Sequence, residues 1–463
     1  MDYNISEEVN TLATQIAGLL TRALAERQTA EQPTRLDVVE TQLRELLRTI
    51  GGQALGTYLS TPAEVPPQHW PCACGGKLIY QREREAVIIS VFGRVRYRRA
   101  YYAGCTCAQG QAPRDIQLGI EPGAVSPGLA NLLALGGIEL AFEESVAWLE
   151  AFLGFRVAGN TIRHETEQLG QCQADMDAEV CRQGQDEDCL QARLRQAPVI
   201  PARLYGSIDA AKVRMEPRTQ AREGEKWRDL KLGCWYTAEV VRPIEHSARQ
   251  RDKAARDQPV YRATHPRYYC AIDEADSFGQ LLWGTGCQIG AERVPELVFV
   301  CDGALWIWNL IEHYYSQAVQ IVDWYHAEDY LKRVAEAAWS EPSQRVSWLQ
   351  VATSQLWDGQ VEAVIASCQT LAPHCAQART AVIYFTTHAP RMRYDQFRAQ
   401  GYLIGSGTVE SGCKQVVTER LKKAGAQWTQ PGAVNTAKAR AAWLSGQWET
   451  LRACRYGRLP LAA

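Results

Sequence analysis

Apolar positions in the first sixty residues fall at helical spacing. They are Ile5, Val9, Leu12, Ile16, Leu19 and Leu20, then Leu36, Val39, Leu43, Leu46 and Leu47, with Gln32-Pro33-Thr34 between the two sets. The pattern predicts a helical hairpin over residues 1–61, a packing or oligomerisation element. After a proline-rich link (Pro62, Pro66, Pro67) the period changes, and residues 86–90 and 94–103 alternate like two strands turning near Gly93. From Ser126 the helical period returns over 129–135, 142–153 and 161–178. Gly154-Phe155-Arg156-Val157 and Gly159-Asn160 make a tight turn before the last of these, with Asn160 or Thr161 as its cap. This fits a helix-turn-helix whose second helix begins Thr161-Ile162-Arg163-His164, and it equally fits a helical bundle that never meets DNA. The polar stretch 183–196 reads as a linker that closes a helical segment over 113–195.

Beyond the linker, strands and helices alternate. Residues 199–215 and 230–241 give two consecutive strands, and a charged, poorly periodic stretch (246–258) precedes a third at 267–272. A helix near 278–283, a strand over 297–301, a helix over 306–315 and a short buried strand over 318–322 follow. Consecutive strands followed by alternation fit a mixed sheet of ribonuclease-H type, as well as other α/β folds. Residues 330–371 and 378–397 are helical and rich in Ala, Gln and Trp; Trp339, Trp348 and Trp357 read as core, with base stacking as the alternative.

Carboxylates stand at telling places in this pattern. Leu204-Tyr205-Gly206-Ser207-Ile208 and Leu297-Val298-Phe299-Val300-Cys301 are apolar runs, and they stop at Asp209 and Asp302. The carboxyl ends of such strands are where open α/β sheets carry their sites. A glycine/serine turn (Gly405, Ser406, Gly407) then opens a helix with apolar Val409, Cys413, Val416, Val417 and Leu421, and with Glu410 in its first turn. A lone glutamate there is ordinarily a favourable helix-dipole charge. Two strand-end aspartates and one helix-borne glutamate can also bind two divalent cations for phosphoryl displacement, a role that suits magnesium. Asp323 and His326, in Asp323-Trp324-Tyr325-His326, read either as a helix cap with a packed histidine or as supporting groups beside the site.

The segments GSIDAAKV, VCDGALWIW, DWYHAEDYL and IGSGTVESGCKQ…RLKKAGAQWT resemble the DDE transposases of bacterial insertion sequences, specifically the ISKra-type family. The resemblance runs from the cysteine-rich segment near residue 70 almost to the C-terminus. It implies a ribonuclease-H-like catalytic core over 196–329, a helical insertion over 330–400 and completion of the core over 401–463. It further implies that Asp209, Asp302 and Glu410 bind two Mg²⁺ (or Mn²⁺), and that the Asp323/His326 motif lies near them. The substrate implied is double-stranded DNA, both element ends and target, handled by a protein that is at least dimeric when working. A zinc-dependent regulator with a decayed core, or a metal nuclease that does not join strands, would use many of the same residues.

Composition then narrows the picture. A net charge of -2 over 463 residues is not that of a generic polyanion binder, so DNA contact would rest on local basic clusters. The hairpin of residues 62–112 carries Arg94, Arg96, Arg98 and Arg99 among tyrosines, and Arg163 opens the candidate recognition helix. Lys414, Arg420, Lys422 and Lys423, with Lys438 and Arg440 beyond, follow Glu410 and are candidates to line a DNA groove. Cys72-Ala-Cys74 and Cys105-Thr-Cys107 flank the hairpin like the ligands of a zinc ribbon. One residue separates each pair where ribbons usually have two, which leaves open whether metal is held and whether His69 replaces a thiol. Acidic Asp2, Glu7 and Glu8 precede any apolar run and no stretch is long enough to span a bilayer, so a cytoplasmic, nucleoid-associated protein with reduced cysteines is expected.

Overall fold

The computed structural model describes residues 7–27, 35–61, 65–120, 124–195, 200–217, 226–241 and 260–456. The Gln32–Thr34 break, Pro62 and the charged 246–258 stretch lie outside the described residues. The chain divides into two compact units, residues 1–137 with 142–165 and residues 138–141 with 166–463.

In the first unit, helices Glu7–Arg27 and Leu36–Ser60 precede a three-stranded antiparallel sheet of β1 (His69–Pro71), β2 (Lys77–Ser90) and β3 (Gly93–Ala103). The β2–β3 turn is tight because Gly93 takes a φ of +93°, which only glycine adopts cheaply. Helix Leu36–Ser60 lies along the free edge of β3. Gly56 permits this approach, since a Cβ there would stand 2.8 Å from the Arg96 carbonyl oxygen, and the Ser60 hydroxyl accepts the Arg98 N–H at 3.0 Å. A sheet edge that would otherwise offer unpaired backbone groups is thereby covered. Helices Pro127–Glu139 and Phe142–Leu153 follow, and the next, Gly159–Gly184, begins two residues before the expected Thr161. From Thr166 the chain belongs to the second unit, and there the described part of the polar stretch expected to be a linker (183–196) is largely helical instead, at the end of Gly159–Gly184 and over Glu187–Arg195. Polar pairs one turn apart, such as Gln191 with Glu187, hold it with little apolar periodicity.

The second unit is built on a five-stranded mixed sheet in the order β6-β5-β4-β7-β8. Its strands are β4 (Arg203–Arg214), β5 (Trp227–Val241), β6 (Val260–Ala271), β7 (Glu296–Cys301) and β8 (Val319–Val322). The first three are antiparallel neighbours, and β7 and β8 add in parallel on the other side of β4. Helices Ala275–Ile289 and Leu305–Tyr315 supply the connections that parallel strands require. The sheet is packed by aromatic rings: Trp235 meets Phe299 and Tyr315 edge-on at 5.5 and 5.8 Å. Gly206 leaves room for one of them, because a Cβ there would lie 2.4 Å from the Phe299 ring. This is an α/β architecture compatible with the core expected from sequence. Helices Trp324–Ala338, Pro342–Trp357, Val361–Leu371, Ala376–His388 and Tyr394–Ala399 intervene before the glutamate segment. Among their tryptophans, Trp339 and Trp348 pack against each other at 5.4 Å and the Trp348 indole N–H donates to Ser367, which makes them packing residues.

All fifteen cysteines are free thiols, and among the described residues no helix is long and apolar enough to cross a membrane. Helix Gln430–Leu444 buries charge as well as alanine, for Lys438 is fully enclosed and ion-paired with the buried Asp177. Removing one partner strands the other. Lys438→Ala should therefore destabilise the second unit by about 3–5 kcal/mol, while Lys438→Met combined with Asp177→Leu should recover most of it; urea unfolding of the three proteins measures both.

Candidate active site

Asp209 does not end its strand, as expected from sequence, but lies in the middle of the 12-residue β4. It stands where the shorter parallel neighbour β7 stops. Arg203 through Gly206 pair with Glu296 through Phe299, and the same register continued three residues sets Asp209 level with Asp302. The pairing of β7 with β8, ending at Cys301 and Val322, likewise sets Asp302 level with Asp323. Three carboxylates thus form a row across three adjacent parallel strands, level with the carboxyl ends of β7 and β8. Each is oriented by backbone: Asp209 accepts the Ala210 N–H at 2.7 Å, and Asp302 accepts the Ala304 N–H at 2.9 Å. Burial pushes the Asp209 carboxyl above the ordinary carboxylate range and the charge of Asp302 adds to this, against the Ala210 N–H, the Cys413 thiol and His326.

Asp323 joins the sheet edge to the glutamate segment. Fully buried, it caps helix Trp324–Ala338 by accepting the His326 N–H at 2.8 Å, and it accepts the Ser406 N–H at 2.7 Å. Its carboxylate also meets the His326 ring Nδ1 at 2.7 Å. The cap and the supporting role are therefore one arrangement. His326 in turn lies 3.6 Å from Glu410, whose carboxylate accepts the Ser406 hydroxyl at 2.8 Å. The Asp323 hydrogen bond raises His326 to about 9, with Glu410 and Asp302 adding to it against burial, so the ring is an imidazolium at neutral pH.

Glu410 sits in the first turn of helix Gly407–Gly412, which continues as a π-helical stretch Cys413–Thr418 and a last turn Glu419–Leu421. The helix presses close to the sheet at Gly412, where a Cβ would lie 2.5 Å from the Tyr268 ring and 2.9 Å from Leu232, the β5 partner of Asp209. This close approach lays Cys413 against Asp209, and burial followed by the Asp209 charge pushes its thiol strongly up. Among the described residues, the acid-bearing group whose ligand atoms lie within 4.8 Å of one another is Asp323, His326 and Glu410. Glu410 thus turns toward His326 and Ser406, while Asp209 and Asp302 stand level on neighbouring strands, close enough for the Asp302 charge to act on Asp209. Ser406 and Cys413 were not singled out as site residues in the sequence. A serine between two glycines, four residues before the acid, was the available signal.

The basic residues divide. Lys414 and Lys422 are exposed beyond Glu410, and Arg94, Arg96, Arg98 and Arg163 are exposed in the first unit. Four others do not face solvent. Arg420 is buried with its guanidinium 5.0 Å over the Trp428 ring, and Arg440 is enclosed between the Ile138 carbonyl and the carboxylates of Glu139 and Glu419. Lys438 is enclosed with Asp177, and Arg99 pairs with the buried Asp115. These four are turned inward, Arg99 by strand alternation and Lys438 and Arg440 on a helix buried on all sides, so they do not offer their charges to DNA as expected from sequence.

The shortened cysteine spacing does not prevent convergence. The Cys72 and Cys107 sulfurs lie 3.5 Å apart, and Cys74 lies 3.4 Å from both Cys72 and Cys105, near the edge of about 3.8 Å in a zinc–thiolate tetrahedron. Gly76 makes this cradle possible, since a Cβ there would lie 2.6 Å from the Cys105 sulfur. The Cys107 backbone N–H pulls the Cys105 thiol down to about 6, while, against the Cys74 backbone N–H, the Cys74 thiol and burial push Cys72 up to about 12, so Cys105 takes the thiolate form before Cys72. The four sulfurs fit a structural zinc, and the exposed His69 is not among them.

Two outcomes follow from this geometry. Metal analysis of protein purified without chelator should find one zinc per chain, lost in Cys105→Ser with a fall in the melting temperature of the first unit. Titration of the His326 ring by NMR should give a value near 9 that drops toward the ordinary histidine range in Asp323→Asn. The ion pair's stabilisation is full below about 6.5 and is lost as pH rises through 9. No family model matches the chain, and no curated protein is similar to it.

Proposed function

We propose that the chain is a DNA transposase of the DDE type, with a ribonuclease-H-like core that cuts the ends of its element and joins them to target DNA. The observation that carries this is the register-fixed pair Asp209 and Asp302, level with each other on neighbouring parallel strands where β7 ends, together with Glu410 on a helix that packs over β4 and its antiparallel neighbours. Asp209, Asp302 and Glu410 would hold two Mg²⁺ (or Mn²⁺). Such ions activate an attacking oxygen and stabilise the leaving one.

The chain's own groups supply the rest. His326, held cationic by Asp323, donates toward a phosphate oxygen and offers no lone pair to a metal in that state. Ser406 fixes the Glu410 rotamer in the absence of metal. Lys414 and Lys422, exposed on the glutamate segment, meet the DNA backbone without reading sequence. Double-stranded DNA, at the element ends and in the target, is the substrate, and coordinated cutting of two ends calls for at least a dimer.

The test is strand transfer with purified protein and a labelled duplex of the DNA flanking the coding sequence, in Mg²⁺ or Mn²⁺. Joined products should form with the wild type and vanish with Glu410→Gln, and His326→Ala should lower the yield about 10–100-fold, as loss of an orienting neighbour does. Cleavage without joining would make the protein a nuclease, and binding without cleavage a regulator.

A further inference from the structure

Beside the Glu410 helix the second unit has a cavity of about 760 Å³ that none of the catalytic chemistry uses. Trp324, Tyr325, Trp357, Tyr402 and Arg398 line it, together with the backbone of the turn that leads to the glutamate. Its aromatic groups are unevenly engaged. Trp357 is packed edge-on against Trp324 at 4.9 Å and carries the Arg398 guanidinium over its face at 3.9 Å. Tyr325 stands between Asp323 and His326 in the chain yet is 63% exposed. Its ring is nevertheless placed, because the Gly405 backbone lies against it so closely that a Cβ there would be 3.2 Å from the ring edge. Arg398 donates one nitrogen to the Trp357 carbonyl at 2.8 Å, and its buried Nε has no partner. Burial lowers the pKa of this guanidinium.

An exposed aromatic face lining a cavity is a platform on which a flat group can stack. The cavity has room for such a group, and Gly405, Gly407 and Thr408 of the segment that leads to Glu410 are part of its lining. We infer that this cavity takes one unpaired nucleobase of the strand being processed, stacked on the exposed ring of Tyr325. The inference rests on the DNA-processing reading above and adds to it a base-holding subsite. Stacking of this kind tolerates any base, because every base has a π-face.

The probes are two decamers with the same number of phosphates, dT10 and a fully abasic strand, with binding to the full chain measured by fluorescence anisotropy in Ca²⁺. Wild type should prefer dT10 by about tenfold, in line with the loss of one base–aromatic stack. Tyr325→Ala should bind both decamers as weakly as wild type binds the abasic one, and Tyr325→Phe should restore the preference. Because Tyr325 is exposed, its removal leaves the core intact. Equal binding of the two decamers by wild type, or a preference that survives in Tyr325→Ala, would overturn the subsite while strand transfer by wild type would keep the transposase reading. Absence of both binding and strand transfer would overturn the reading and the subsite together.

Discussion

The buried carboxylate of Asp323 holds the candidate site together. It accepts hydrogen bonds from the His326 backbone, the His326 ring and the Ser406 backbone, which come from two segments about eighty residues apart in sequence. A carboxylate out of water is tolerated only when its oxygens are satisfied in this way. Because it is satisfied, the end of β8, the start of the following helix and the turn before Glu410 are one rigid corner. The helices of residues 324–399 depart from this corner and return to it, so their size and sequence leave the glutamate where it is.

Much of this was legible from residues alone. Apolar runs that stop at Asp209 and Asp302 predicted buried strands carrying acids, and the structure has a mixed five-stranded sheet with both acids level on neighbouring strands. The helical period through Val409, Cys413, Val416 and Val417 predicted a helix with one face inward, and all four are buried. What sequence could not give was register and rotamer. That β4 runs on past Asp209 depends on its antiparallel pairing with β5, a long-range fact. That Glu410 turns to Ser406 and His326 depends on a turn whose glycines reveal a bend but not its direction.

The basic residues illustrate a second limit. Lys422 and Lys438 look alike as charges in a list, yet one is exposed and the other is sealed against Asp177. Helix Gln430–Leu444 has no clear polar face, so periodicity gave no warning that its charges are internal. Cysteine spacing left a question open. One intervening residue departs from the usual ribbon spacing and does not say whether metal is held, but Gly75 and Gly104, with φ of +85° and +94°, fold each knuckle back enough for four sulfurs to meet.

The row of level carboxylates also bears on how this chain tolerates changes of length. Side chains alternate along a strand, so adding or deleting a single residue in β4 or β7 upstream of the acid would send Asp209 or Asp302 to the opposite face of the sheet. The loops between strands carry no such parity, and extra residues there are absorbed at the surface. Natural insertions and deletions in close relatives of this chain should therefore collect in the connections and avoid the few positions between Arg203 and Asp209 and between Glu296 and Asp302.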